Sequence, residues 1–408
     1  EKMDETRSRI VAMTKAGVFG PPGMWPYVRD NNGEHQIGLQ FASDLEFYRI
    51  GLFRTGSADS EPDYREIYVA VKTQLKGEDE RAFTNSDSLF FNEVYMYRTV
   101  LQLIEAEKLF LRCFYAEACS GNHPSRDIVI TEDMKPLGYR TPATSYLDLQ
   151  HLKIALRNLG RFHGHSYKAK TTCASYFSKV KDLRPIAFDE EFDALLFATT
   201  CRGIKGLIEG KYNSTLKTLQ ETLQGGRQVL KSLKTPEEPF AVVCHGEFHK
   251  SNMLFCYDSC GEVSDAVFLD LQMSLYSDPS TDISFLLYMN TTSELRSRHW
   301  DELLERYWDG VVSVMPDPGF DFEQFLSNFE RKAMYGYLPT SIFLPILLED
   351  FQADVSIKEF LQQPLSERVE LLEEFGGEEA TKALTEIVKD LLERGYVQHF
   401  LDQFLTSR

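Results

Sequence analysis

The chain has 408 residues, more than one hydrophobic core usually organises, so two lobes are the natural expectation. Its 62 Asp and Glu against 44 Lys and Arg weigh against nucleic acid or an anionic membrane as the main partner, and its 43% apolar content is ample for packed cores.

Residues 37 to 76 read as strand material. IGLQFASDLEFYRIGLF and REIYVAVKTQLK flank the turn-forming GSADSEPDY, which predicts two strands joined by a loop. In LFFNEVYMYRTVLQLI, Phe90, Val94, Tyr97, Leu101 and Ile104 recur at helical spacing. RDIVITEDM is a short β-rich run, and KPLGYRTP suits a connector. After Pro142, Leu149, Leu152, Leu156, Leu159 and Phe162 mark one face of a long helix, and from about residue 283 nearly every periodic stretch is helical. The stretch 240–272 is the exception: FAVVCHGE and AVFLDLQ read as short strands separated by SNMLFCYDSCGEVSD, with Gly261 suited to a hairpin turn.

Chemistry-bearing residues cluster on this exception. Phosphoryl transfer needs groups that hold nucleotide phosphates, oxygens that hold Mg²⁺, and a base near the attacking hydroxyl. Lys72 closes VAVK, and Glu93 lies three residues after Phe90, beside the buried stripe of the next helix, where its carboxylate would hold the lysine ammonium. Glu247 and Asn252 in CHGEFHKSNMLF have the spacing of acid, four residues, amide, with the acid facing the substrate hydroxyl and the amide carbonyl facing the metal. Asp270, read as lying on the second strand of the hairpin, is either an edge-strand acid or a carboxylate that meets the same metal from across the turn. In DPSTDIS, Asp278 reads as an N-cap-type residue and Asp282 as a brace for the loop around His245 through backbone N–H groups; His245 itself reads as structural.

Two other motifs fail on spacing. His245 and His249 are four apart, but the glutamate does not directly follow the first histidine as in a zincin, and the preceding VV reads as strand. Cys256 and Cys260 lack a second pair at zinc-ribbon spacing. The glycine loop is weak: Gly33 and Gly38 precede the first strand without GxGxxG, leaving phosphate contact to backbone amides near Ser43. Tyr307, Trp308, Tyr335, Tyr337 and Phe343 either line an apolar acceptor pocket or form core.

The order VAVK, a helix glutamate, VITEDM, LGRFHGHS, HGE-x₄-N, LDLQ and DPSTDIS resembles the ecdysteroid-kinase-like family, relatives of choline kinases and aminoglycoside phosphotransferases. The likeness spans about residues 35 to 350. It implies an α+β, bilobal, protein-kinase-like fold, with a β-rich nucleotide-binding lobe over 1–132 and a helical lobe over 133–408 holding the catalytic loop and acceptor site. It also implies ATP-dependent transfer, with Mg²⁺, to the hydroxyl of a small molecule such as an ecdysteroid or other hydroxylated metabolite. By the family pattern Lys72 and Glu93 hold phosphates, the backbone of Thr131, Glu132, Asp133 and Met134 meets the adenine, Glu247 is the base, and Asn252 and Asp270 bind the metal. The departures are HGE for HGD, DLQ for DFQ and the degraded glycine loop. They keep open the alternative of a catalytically impaired pseudokinase that binds a nucleotide, small ligand or protein.

Seven scattered cysteines do not resemble a disulfide framework, and EKMDETRSRIVAMTK lacks an apolar core. With no window of about 18 apolar residues, a cytoplasmic protein with no membrane or nucleic-acid partner is expected. The sequence leaves the oligomeric state open.

Overall fold

The computed structural model describes residues 5–21, 25–30, 43–54, 63–186, 188–349, 360 and 362–406. Gly33, Gly38 and the turn segment 55–62 lie outside the described residues. The fold class is the expected α+β, divided into two compact units, the first rich in β-structure and the second larger and mostly helical. The division is not a single cut near residue 132: the first unit continues to Arg140, with Leu103–Glu105 left out, and takes in Val267–Gln272.

The first unit is built on an antiparallel five-stranded sheet in the order β1 (Trp25–Asp30), β2 (Ser43–Arg54), β3 (Asp63–Gln74), β5 (Ile128–Glu132), β4 (Cys113–Glu117). Alternation decides its faces, because successive strand side chains point to opposite sides. Tyr48, Ile50 and Leu52 of β2, Val69 and Val71 of β3, and Ile128 and Ile130 of β5 are buried in one core with Ile10 and Phe19. Each such apolar side chain contributes about 1.5–3 kcal/mol by leaving water. Lys72, one residue beyond Val71, therefore belongs to the opposite face. The predicted helix begins at Ser86–Tyr95, passes through a π-helical turn at Met96–Val100, and ends with Leu101–Leu103. Its stripe of Phe90, Val94, Tyr97, Leu101 and Ile104 is buried throughout. The late segment joins this unit at Phe268, whose carbonyl accepts the Leu111 N–H at 3.1 Å and whose ring meets Phe110 edge-on.

In the second unit, Asp148 caps the long helix Leu149–Thr172 by accepting the N–H groups of Gln150 and His151. That helix packs against the helix Ser293–Val314 at unusually close range. A Cβ on Gly160 would lie 2.0 Å from the Tyr307 carbonyl oxygen, and one on Gly310 would lie 2.2 Å from that of Arg157. Glycine at both positions lets the two backbones touch.

The strands of 240–277 pair differently from the expectation. β6 (Val242–Cys244) pairs antiparallel with β9 (Leu275–Ser277), while β7 (Met253–Tyr257) and β8 (Val263–Phe268) form the hairpin. Gly261 does sit in that turn, at φ +84°, and the Asp258 carboxylate accepts the Cys260 and Glu262 N–H groups there. MLFCY, read as part of the separating loop, is itself a strand. Among the described residues no helix is long and apolar enough to cross a membrane, and all seven cysteines are free thiols.

Candidate active site

In the first unit, residues far apart in sequence converge on one lysine. The Lys72 Nζ donates to Glu93 Oε2 at 2.7 Å, Asp270 Oδ1 at 3.1 Å and Gln272 Oε1 at 3.2 Å. Burial acts to pull the ammonium pKa down, but the charges of Asp270 and Glu93 outweigh it and hold it above the ordinary lysine value. Burial raises the Glu93 carboxyl, against the pull of Lys72. The ammonium is therefore the secure charge of the cluster.

Asp270 does not lie on a strand as expected. β8 ends at Phe268, and Asp270 adopts φ +64°, a left-handed conformation that few residues besides glycine, asparagine and aspartate tolerate. That bend brings Asp270 and Gln272 to the same ammonium. The bend is clipped to the helix Ser86–Tyr95 by adjacent residues: buried Asn92 donates its amide to the Gln272 carbonyl at 3.3 Å, and the Leu271 N–H bonds the Glu93 carboxylate.

Thr131 and Glu132 end β5, and Asp133 and Met134 follow it. The N–H groups of Glu132 and Asp133 are bound to the carbonyls of Arg112 and Tyr68, at 2.8 and 2.9 Å, and the Met134 carbonyl accepts from Leu137 and Tyr139. This segment has a fixed backbone at the sheet's end.

The second unit holds the other predicted residues. Asp282, fully buried, accepts the His245 N–H at 2.7 Å on Oδ2 and the Gly246 N–H at 2.8 Å on Oδ1. These are the backbone contacts expected of a brace. Gly246 has φ +85°, and a Cβ there would lie 2.0 Å from the Met273 carbonyl oxygen, so the turn into Glu247 demands glycine. The Asp282 carboxylate is itself held by His163 Nε2 at 3.2 Å, whose Nδ1 meets the Tyr307 hydroxyl at 2.9 Å across the glycine-lined helix crossing. His163, Cys244 and Asp282 lie close enough for a metal ion. Their polar atoms are already engaged, with the Cys244 thiol donating to the Asp278 carbonyl, so the group reads as a hydrogen-bonded brace. Asp278, expected as an N-cap-type residue, lies one residue before the N-cap position, which Pro279 takes; it accepts the Ser280 N–H, and its other oxygen accepts the Asn328 amide.

Glu247 is half-buried, with its backbone fixed at several points. Its N–H faces His245 Nδ1 at 3.4 Å, and its carbonyl accepts the His249 N–H and the Asn252 side-chain amide, the latter at 2.9 Å. That commits the Asn252 nitrogen and leaves its carbonyl end as the donor a cation would use. Asn290 steadies the loop by accepting the Lys250 N–H at 2.9 Å. His245 and His249 lie beyond β6 in this loop, so the pair does not sit on an α-helix as a zincin pair would.

The aromatic residues divide. Tyr307 and Tyr337 are buried core residues with their hydroxyls bonded to His163 and the Thr200 carbonyl, and half-buried Trp308 packs on Phe320, Phe322 and Phe325. Phe343 lies nearly parallel to His249 at 6.4 Å in the loop, and burial, Asp282, Cys244 and Glu247 together push the Tyr335 phenol up. Gln272, Asn92, His163 and Asn290 were not identified from the sequence as site residues. The only signals were the letters after Asp270 in LDLQ and the histidine within LGRFHGHS.

A model of the ecdysteroid kinase-like family matches residues 45–317. Among solved structures, spectinomycin phosphotransferase in complex with ADP and spectinomycin is 10% identical, with TM-score 0.44, covering 95% of this chain and all of that one. Amicoumacin kinase with AMP-PNP and Ca²⁺ is 14% identical, with TM-score 0.41, covering 91% of this chain and 93% of that one. Plasmodium vivax ethanolamine kinase is 12% identical, with TM-score 0.36, covering 81% and 78%. No curated protein matches the chain significantly in sequence.

Proposed function

Because the chain belongs to the ecdysteroid kinase-like family, we propose that it transfers the γ-phosphoryl group of ATP to a hydroxyl of a small molecule in the cytoplasm. The carrying observation is the Lys72 ammonium, held at 2.7 Å by Glu93 and at 3.1 Å by Asp270. A lysine kept charged against burial supplies a positive group for polyphosphate, and two carboxylates keep it in place.

In this reading Lys72 binds phosphate oxygens, and the backbone of Thr131, Glu132, Asp133 and Met134 meets the adenine. Glu247 orients the acceptor hydroxyl and accepts its proton as the oxygen bonds to phosphorus and ADP departs. Asn252 and Asp270 would hold Mg²⁺, and the fit is chemical: both present oxygens, which hard cations prefer, and the Asn252 nitrogen is already committed to the Glu247 carbonyl. When bound, the ion neutralises charge between phosphates. Phe343 and Tyr335, near the Glu247 loop, suit an acceptor with an apolar body, such as an ecdysteroid or another hydroxylated metabolite.

Glu247 in the place of aspartate favours a second reading, a pseudokinase that binds nucleotide, small ligand or protein without turnover. Thermal shifts with ATP, with and without Mg²⁺, test binding. A panel of hydroxylated metabolites scored for ATP-dependent phosphoryl mass gain tests turnover. Mg²⁺-dependent stabilisation with phosphorylated product supports the transferase. Stabilisation with no product across the panel favours the second reading, and absence of any nucleotide response overturns both nucleotide-based readings.

A further inference from the structure

The geometry around Lys72 assigns a role to a residue outside the usual set. An ammonium has three N–H bonds and no acceptor, and the three acceptors around Nζ are Glu93, Asp270 and Gln272. Because lysine only donates, the Gln272 amide must present its oxygen. The Gln272 backbone is anchored independently, through its carbonyl, to Asn92. Two carboxylates and one ammonium sum to one negative charge, and a neutral third acceptor leaves that sum unchanged. A third carboxylate would double the negative charge where a polyphosphate has to approach.

We propose that Gln272 is a positioning residue for Lys72: the neutral acceptor that fixes the ammonium between Glu93 and Asp270 without adding charge that repels nucleotide. The proposal rests on the phosphotransferase reading for its nucleotide consequence, while the Gln272–Lys72 link is testable without nucleotide.

Two isosteric changes separate acceptor from charge. Gln272→Met removes the acceptor and keeps the length; Gln272→Glu keeps an acceptor and adds the charge. In urea unfolding without nucleotide, Gln272→Met should lower the midpoint of the parent and leave that of a Lys72→Met/Glu93→Gln background unchanged. Equal losses in both backgrounds would overturn the link. By calorimetry with MgATP, Gln272→Met should weaken binding about 3- to 10-fold, the range for one hydrogen bond. Gln272→Glu should weaken it further, and the added carboxylate, uncompensated beside Glu93 and Asp270, should also lower the urea midpoint at pH 7. MgATP binding unchanged by Gln272→Glu overturns the charge argument. A parent that binds no MgATP overturns the phosphotransferase reading instead, and the urea cycle then decides the Gln272–Lys72 link alone.

Discussion

Lys72→Met removes an ammonium and keeps most of its stem, so its effect measures what the charge does in the folded protein. The Lys72 and Glu93 side chains are only 12% and 5% exposed, so the change strands a carboxylate beside Asp270. Leaving one partner of a buried pair uncompensated costs about 3–5 kcal/mol. Glu93 has an escape, which is to take a proton. From an ordinary glutamate value that costs about 3.7 kcal/mol at pH 7 and about 1 kcal/mol at pH 5. The destabilisation of Lys72→Met should therefore be about 3–4 kcal/mol at pH 7 and shrink toward 1 kcal/mol at pH 5. The sign follows from linkage: the folded variant binds a proton that its unfolded chain does not, so its stability rises as pH falls. The parent keeps its raised Lys72 charged throughout this range and serves as reference. Urea midpoints of both proteins at pH 5, 6 and 7 measure the difference, and Glu93→Gln added to Lys72→Met should recover most of the loss. A penalty independent of pH, or no recovery in the double variant, would refute the reasoning.

Three further outcomes are expected. Asp282→Asn puts an amide nitrogen where one buried N–H of His245 or Gly246, or His163, needs an acceptor; a loss of about 2–4 kcal/mol should appear in urea unfolding, and a loss under about 1 kcal/mol would show that the brace is dispensable. Glu247→Ala should lower kcat sharply with MgATP affinity nearly unchanged, and Glu247→Asp should not exceed the parent; a many-fold gain from Glu247→Asp would mark a decayed kinase. Burial pushes the Cys113 thiol up to about 12, whereas the Ser175 hydroxyl pulls the Cys173 thiol down; at pH 7.5 iodoacetamide should label Cys173 at least about tenfold faster by peptide mass spectrometry, and equal rates would contradict the assignment.

What the sequence made legible was periodic or closely spaced. β2, β3, the stripe from Phe90 to Ile104 and the long helix after Pro142 declare themselves through repeated apolar positions. The Lys72–Glu93 pair could be anticipated because a strand end and an adjacent helix face fix both partners locally. Pairing among the short strands could not, since three- and five-residue runs such as Val242–Cys244 and Met253–Tyr257 carry no register information of their own. The bend at Asp270 was equally hidden, because its φ of +64° depends on contacts with Asn92, Glu93 and Lys72 made over more than 170 residues of chain. His163 became a site residue only through a helix crossing set by Gly160 and Gly310, distant glycines that have no signature until the helices meet.

The inclusion of Val267–Gln272 in the first unit bears on how the protein is made. A ribosome releases the sheet strands and the Glu93 helix early, but Asp270 and Gln272 emerge roughly 130 residues after Arg140. At about 5–20 residues per second, that interval is roughly 7–26 s. Throughout it the nascent chain has Glu93 as Lys72's partner but neither of its other two acceptors. The first unit therefore cannot complete its charge cluster as an independent early-folding segment, and a fragment ending near residue 140 should give a sheet with a poorly held lysine. Dividing the gene at the apparent lobe boundary would separate the lysine from two of the groups that hold it.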